Sequence, residues 1–184
     1  MPKDLIGLKL FLSKMDTSHV SEAYMGWLND PRVNRFLESR FQRHTHASTV
    51  DYVKSIESNN ELFMFAIFTR QAHRHIGNIK LGPVHPIHLR GDIGIMIGDA
   101  GSFHQGFGTE AIGLLTRFAF EDLDLRRLTA GCYENNLGAI KAFEKNGFMR
   151  EGLLRHHATY NGTRVNVIQL GLLQTEWKSD ASLG

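Results

Sequence analysis

A chain of 184 residues fits one domain, and 21 Lys and Arg against 19 Asp and Glu, a net charge of +2, give it none of the basic surplus of a nucleic-acid binder. Apolar residues make up 42% and charged residues 22%, which excludes a disordered polyelectrolyte. The single Cys132 excludes an internal disulfide and suits a reducing, cytoplasmic compartment, no run approaches the roughly 18 apolar residues of a membrane span, and the interrupted start MPKDLIGLKLFLSK is not expected to act as a signal peptide.

Residues 5–12 alternate loosely and predict a first strand. Asp16, Thr17 and Ser18 are N-cap candidates for a helix carrying Val20, Tyr24, Trp27 and Leu28, which Pro31 should stop near Asn29 and Asp30. Val50, Val53 and Ile56 stand three apart and predict a second helix over 49–57. Strands follow over 62–68 and 75–81, split by a polar turn at 70–74, and Pro83 and Pro86 interrupt the chain before a strand over 92–97. A helix over 107–120 sets Ala111, Leu115 and Phe118 on one face, and a strand over 127–133 comes next. Asn136 caps a short helix bearing Ala139, Ile140 and Phe143, and Gly147 supplies its left-handed stop. Asn161 and Gly162 make the turn that pairs a strand near 148–154 with a final strand over 164–172. A meander followed by a strand–helix–strand unit predicts an α+β domain over 1–177, with one mixed, mostly antiparallel sheet and helices on both faces. The small polar tail, 178–184, is expected to be disordered.

The most specific chemistry lies where the strand over 92–97 runs into a loop, and Gln105, Gly106, Phe107, Gly108 and Thr109 open the next helix. The first turn of a helix presents unpaired N–H groups and the positive end of its dipole, which together bind phosphate. Glycine lets a ligand approach the backbone closely. Two readings stay open on spacing alone, a phosphate cradle or simple turn geometry. No Lys-Ser/Thr follows, so this is not a Walker loop, and no G-x-G-x-x-G is present.

Residues 94–111 resemble the acetyl-CoA motif of the GNAT acetyltransferase superfamily. Residues 133–148, YENNLGAIKAFEKNGF, followed by Arg150, Glu151 and Gly152, resemble its second motif. The likeness extends over 5–173 and is closest to the branch of ribosomal-protein N-terminal and spermidine acetyltransferases. The block WLNDPRVNRF at 27–36 is similar to acetyltransferases of surface-polysaccharide amino sugars. The resemblance implies acetyl-CoA as co-substrate and a small primary amine as partner, with a homodimer left open. It also implies that the strand over 92–97 splays from the strand over 127–133. Ile95, Met96 and Ile97 would then pair with the pantetheine arm, the amides of Gln105, Gly106, Phe107, Gly108 and Thr109 would take the pyrophosphate, and Asn136, Ala139 and Phe143 would flank the acetyl end. A backbone N–H near Met96 and Ile97 would polarise the thioester carbonyl.

Acid and base are not supplied by the resemblance. Phe143 and Ala139 stand where members of the family carry a Tyr or Ser that protonates the thiolate, and Phe103 stands at the family's Gln or Arg. Tyr133 and Tyr160 are the substitute donors, and Glu134 and Asp92 the candidate bases, provided burial raises a carboxyl from its ordinary value of about 4. Trp27, Asn29, Arg32 and Asn34 are expected to line the acceptor site, where Arg32 suits a nucleotide-sugar phosphate. The expected acceptor is therefore a nucleotide-linked amino sugar, ahead of a protein N-terminus or a polyamine, for which Glu22, Asp30 and Glu38 are a thin supply of carboxylates. A non-catalytic acyl-CoA-binding module is the rival of another class. Ten histidines, with close pairs such as His73/His75 and His156/His157, lack ligand spacing, and no metal site is expected.

Overall fold

The computed structural model describes residues 4–178. Eight strands form one sheet in the order β1-β2-β3-β4-β5-β6-β8-β7. The stretch expected to be a single strand is a hairpin: β1 (Leu5–Ile6) turns back on β2 (Leu10–Lys14), with Leu5 opposite Leu12. The Glu110 carboxylate fixes that turn by accepting from the Lys9 amide at 2.8 Å and the Leu10 amide at 3.3 Å.

Capping decides the helix starts. Asp16 caps only a single 3-10 turn, Thr17–His19, whereas Ser21 Oγ accepts from the Tyr24 amide at 3.2 Å and starts α1 (Glu22–Asn29). Asp30 ends α1 and caps α2 (Pro31–Asn34), where Pro31 takes the first-turn place that needs no N–H. A reciprocal Thr45–Ser48 capping box moves the start of α3 (His46–Glu57) ahead of the expected residue 49. The meander β3 (Phe63–Thr69), β4 (His75–Leu81) and β5 (Arg90–Ile97) follows. The helix expected over 107–120 is divided, α4 (Phe107–Arg117) widening into a π-helical turn at Phe118–Asp122. β6 (Arg127–Tyr133), α5 (Leu137–Lys145) and the hairpin of β7 (Met149–Tyr160) and β8 (Thr163–Leu173) complete the fold. Gly147 takes the left-handed conformation, φ 87°, that ends α5.

β7 runs beyond the expected 154 by way of a bulge. Leu154 pairs with Val167 and Ala158 with Val165, so Arg155, His156 and His157 share the space opposite Asn166. The Asn166 side chain holds them there, accepting from the His156 amide at 2.9 Å.

One face of the sheet buries Leu10, Ile67, Ile79 and Leu128 against Ile112 and Leu115 of α4 and Ile140 of α5. The other face packs Met15, Met64 and Ala66 against Tyr24 and Leu28 of α1 and Val53 and Ile56 of α3. Each such apolar side chain gains about 1.5–3 kcal/mol on leaving water. No helix among the described residues is long and apolar enough to cross a membrane. Of the tail, Lys178 is exposed, and residues 179–184 lie outside the described residues.

Candidate active site

β5 and β6 pair in parallel for only three residues, Arg90 with Arg127, Gly91 with Leu128 and Asp92 with Thr129. Beyond that point β5 stays with β4, Gly77 facing Ile97, and β6 stays with β8, Tyr133 facing Val167. The expected splay is therefore present. The edges of 93–97 and 130–133 that face each other have no strand partner among the described residues. Unpaired peptide groups inside a sheet call for another hydrogen-bonding partner. Gly94 keeps part of the opening clear, since a Cβ there would meet nothing within 4 Å.

The opening leads to the start of α4. Gly106 is the N-cap residue at φ 85°, a left-handed conformation that disfavours side chains. None of the amides from residue 105 to 109 donates to a described residue; the first helical bond is Glu110 N to Gly106 O at 3.1 Å. Gly108 lies over β5, its absent Cβ 3.9 Å from Ile95 Cδ1 and Ile97 Cγ1. Lys9, unremarked in the sequence, places its ammonium here. It donates to Gln105 O at 3.3 Å and lies 3.8 Å from where a Gly106 Cβ would be. The loop before the cradle is pinned by Asp99, which pairs with Arg74 at 3.1 Å and accepts from Ser102 Oγ.

Alternation along β5 sends Ile93, Ile95 and Ile97 to the α4 side and leaves Asp92, Gly94 and Met96 on the α1 side. Asp92 thus stands at the apex of the splay, accepting from Thr129 Oγ1 at 2.8 Å. The residue is exposed to solvent, yet many protein atoms crowd round its carboxyl from the flanking strands. That desolvation pushes its pKa up, against the lowering effects of the Thr129 hydrogen bond and the Lys80 charge. Cys132 faces the buried side, where burial, aided by the Asp92 charge, pushes its thiol up to about 12 and makes it inert at neutral pH.

Trp27 closes the α1 side, its ring lying on Gly98 so closely that a Cβ there would fall 2.0 Å from it. Gly98→Ala is expected to push Trp27 off the strand end, costing about 1–3 kcal/mol by overpacking. Thermal denaturation with tryptophan fluorescence checks this; an unchanged midpoint and spectrum would refute the contact.

Several expected site residues are committed elsewhere. Glu134 accepts from the Asn166 backbone and side-chain amides, both at 2.9 Å, so its two oxygens anchor the β6–β8 ladder beside the bulge. Phe143 is 2% exposed and packs edge-on against Phe148, a core residue with almost no surface to offer a ligand. Ala139 packs partly buried against the same core, and the Asn136 side chain accepts from its amide at 3.3 Å. Asn29 bridges Met25 O and the His44 backbone, and Asn34 is buried with its amide on Leu28 O at 2.8 Å. Arg32 is exposed and paired with Asp30 at 2.7 Å. The Tyr133 hydroxyl donates to Glu38 and accepts from Arg40 Nη1 at 3.0 Å, and burial raises its pKa. Tyr160 stacks on Phe36. His75 bonds Gly77 O and Asn78 Oδ1 under the edge of Trp27, and burial lowers its pKa, so it is a neutral packing residue. Among the described residues no three His, Cys, Asp or Glu side chains converge to hold a metal ion.

The family described as Acetyltransferase (GNAT) domain matches residues 9–149. The "Probable N-acetyltransferase YjcK" of Bacillus subtilis is 35% identical over 119 residues, a match that spans 61% of this chain and 61%, less than two thirds, of that relative. The "Uncharacterized N-acetyltransferase p20" of Bacillus licheniformis is 25% identical over 92% of this chain and 95% of its own length. Among solved structures, spermidine N-acetyltransferase from Vibrio cholerae in complex with CoA and spermine superposes with a TM-score of 0.83 at 20% identity, covering 91% of this chain and 97% of that one, a likeness of fold. Motif order, splayed strands and the matched span agree: the chain belongs to the GNAT acetyltransferase family, whose members use acetyl-CoA.

Proposed function

We propose that this protein is an acetyl-CoA-dependent N-acetyltransferase that moves an acetyl group directly to a small primary amine, with a nucleotide-linked amino sugar as the acceptor. The observation that carries this reading is the β5–β6 opening, which has the Gly106 start of α4 at one end and the Asp92 carboxylate, held by Thr129, at its apex. The residues present fit the cofactor: five unengaged backbone N–H groups, a missing Cβ and the Lys9 ammonium suit a pyrophosphate, and the free edge suits an amide-bearing arm at Ile95 and Ile97, whereas the backbone of Met96, expected to share in it, faces Asn78 on β4. When bound, acetyl-CoA supplies the acyl thioester.

The chain's own part is positioning and proton handling. The free edge of β5 turns the N–H groups of Ile95 and Ile97 toward the opening, and the one at Ile95 lies nearer Asp92. Asp92 attracts the acceptor as its ammonium form and takes its proton, leaving the unprotonated amine that acyl transfer requires. Thr129 fixes the orientation of that carboxyl. Ala139 and Phe143 have no proton to give and the Tyr133 hydroxyl is held by Glu38, so as the C–S bond breaks the thiolate takes the proton lost by the acylated nitrogen; both oxygens of Glu134 are held by Asn166, which leaves Asp92 as the base in this reading. A structural neighbour captured with CoA and spermine supports a small amine as acceptor.

The test is free-thiol release from acetyl-CoA with amino sugars, polyamines and short peptides side by side. Release with an amino sugar is expected. CoA binding without release from any amine would replace this reading with an acyl-CoA-binding module.

A further inference from the structure

Next to the open end of the splay lies a groove of about 520 Å³, between the 29–43 segment and the tip of the β7–β8 hairpin at Tyr160 and Asn161. Three of its lining residues are arginines, Arg35, Arg40 and Arg43, and none is acidic. The two nearest acids in sequence point elsewhere, Asp30 paired with Arg32 and Glu38 accepting from the Tyr133 hydroxyl. No described carboxylate lies within ion-pair distance of Arg35, Arg40 or Arg43.

Arg40 is a fixed wall. Its guanidinium donates to Leu37 O and Thr159 O, both at 2.6 Å, and to the Tyr133 hydroxyl at 3.0 Å. None of those partners is charged, although the Glu38 carboxylate sits on the far side of the same Tyr133 hydroxyl and offsets part of the Arg40 charge. Because Tyr133 ends β6, the same contact joins the groove to the mouth of the splay. Three like charges around one concavity repel each other and sum their potential there, and an anion relieves both effects. The planar fork of guanidinium matches phosphate oxygens. Phe41 lies 4.1 Å under the Arg40 guanidinium yet is 67% exposed, an aromatic face open to a flat partner such as a nucleobase.

We infer that Arg35, Arg40 and Arg43, with Phe41, form the subsite for the phosphate-bearing end of the acceptor, and that this end is a nucleoside diphosphate. The inference rests on the acetyltransferase reading and replaces Arg32, which Asp30 neutralises, as the phosphate contact. The same charges repel a polyamine.

Three acceptors with one amine in common distinguish the sources of phosphate: glucosamine, glucosamine 6-phosphate and UDP-glucosamine. KM should fall along that order, and Arg35→Ala and Arg43→Ala should each raise KM for UDP-glucosamine about tenfold while leaving that for glucosamine unchanged. A sugar phosphate served as well as the UDP sugar would overturn the nucleotide assignment, and equal KM values throughout would overturn the subsite. Calorimetric titration of UDP into protein saturated with CoA, whose pyrophosphate would fill the α4 cradle, gives a readout without turnover. Binding that Arg43→Ala weakens about tenfold supports the groove; no binding, or binding unchanged in both variants, contradicts it. UDP binding without thiol release from any amine would sink the acetyltransferase reading and leave the anion subsite standing.

Discussion

Asp92→Asn is expected to lower kcat/KM by about 100- to 10,000-fold, the usual contribution of a general base, while making the fold more stable at neutral pH. The two effects have one cause. Asp92 sits at the apex of the splay, where desolvation raises its pKa and outweighs the Thr129 hydrogen bond and the Lys80 charge. A raised carboxyl pKa in the folded state favours the neutral acid. Its stabilising contribution is fully present below the unfolded pKa of about 4 and is lost as pH rises through the higher folded value. At neutral pH the ionised Asp92 is therefore a cost, and a neutral Asn of the same shape, still able to accept from Thr129, removes it. Activity runs the other way. The base must be ionised, so the acid limb of the wild-type kcat/KM profile should lie above the ordinary carboxylate range, and that limb should vanish in the variant. Measuring the pH–rate profile with any amine that supports thiol release, beside melting curves at neutral and acid pH, checks both. A variant with wild-type rate would remove Asp92 from the chemistry, and one less stable at neutral pH would show that its charge is not a burden there.

Local signals in the sequence carried the meander, the strand over 92–97 and the glycine-rich helix start, because each depends on residues adjacent in the chain, whereas the splay between β5 and β6 came from the family resemblance. Gly106 at a left-handed N-cap, the 92–97 strand and the Gly147 stop are of this kind. What was hidden depends on contacts between distant segments. The hairpin at residues 5–14 is set by the Glu110 carboxylate, 101 residues from Lys9 in sequence. Lys9 itself reaches Gln105 across 96 residues. The β7 bulge needs Asn166, and Asn166 in turn occupies the carboxylate expected to be a base, Glu134. The family resemblance puts Phe143 beside the cofactor, but an aromatic without a hydroxyl gains from packing on Phe148 in the core. Arg40 could not be singled out from 35–43 by charge alone, since only the fold brings it to Tyr133 and Thr159.

The cradle is the claim on which the rest depends, and Gly106→Asp tests it most directly. The new carboxylate would lie beside the Lys9 ammonium, since the Cβ position is 3.8 Å from Nζ. It would place an internal anion where the external one should bind. Two like charges about 4 Å apart near a protein surface repel by roughly 4 kcal/mol. Even with half of that offset by Lys9, about 2 kcal/mol remains, a loss of affinity of roughly 30-fold or more. The left-handed backbone adds about 1–2 kcal/mol of folding strain for any side chain, and Gly106→Ala carries that strain without the charge. The decisive measurement is the CoA dissociation constant of wild type, Gly106→Ala and Gly106→Asp by calorimetry. Tight binding by wild type, a modest loss in the alanine variant and a loss of roughly 30-fold or more in the aspartate variant are predicted; an aspartate variant that binds CoA as tightly as wild type would contradict the cradle.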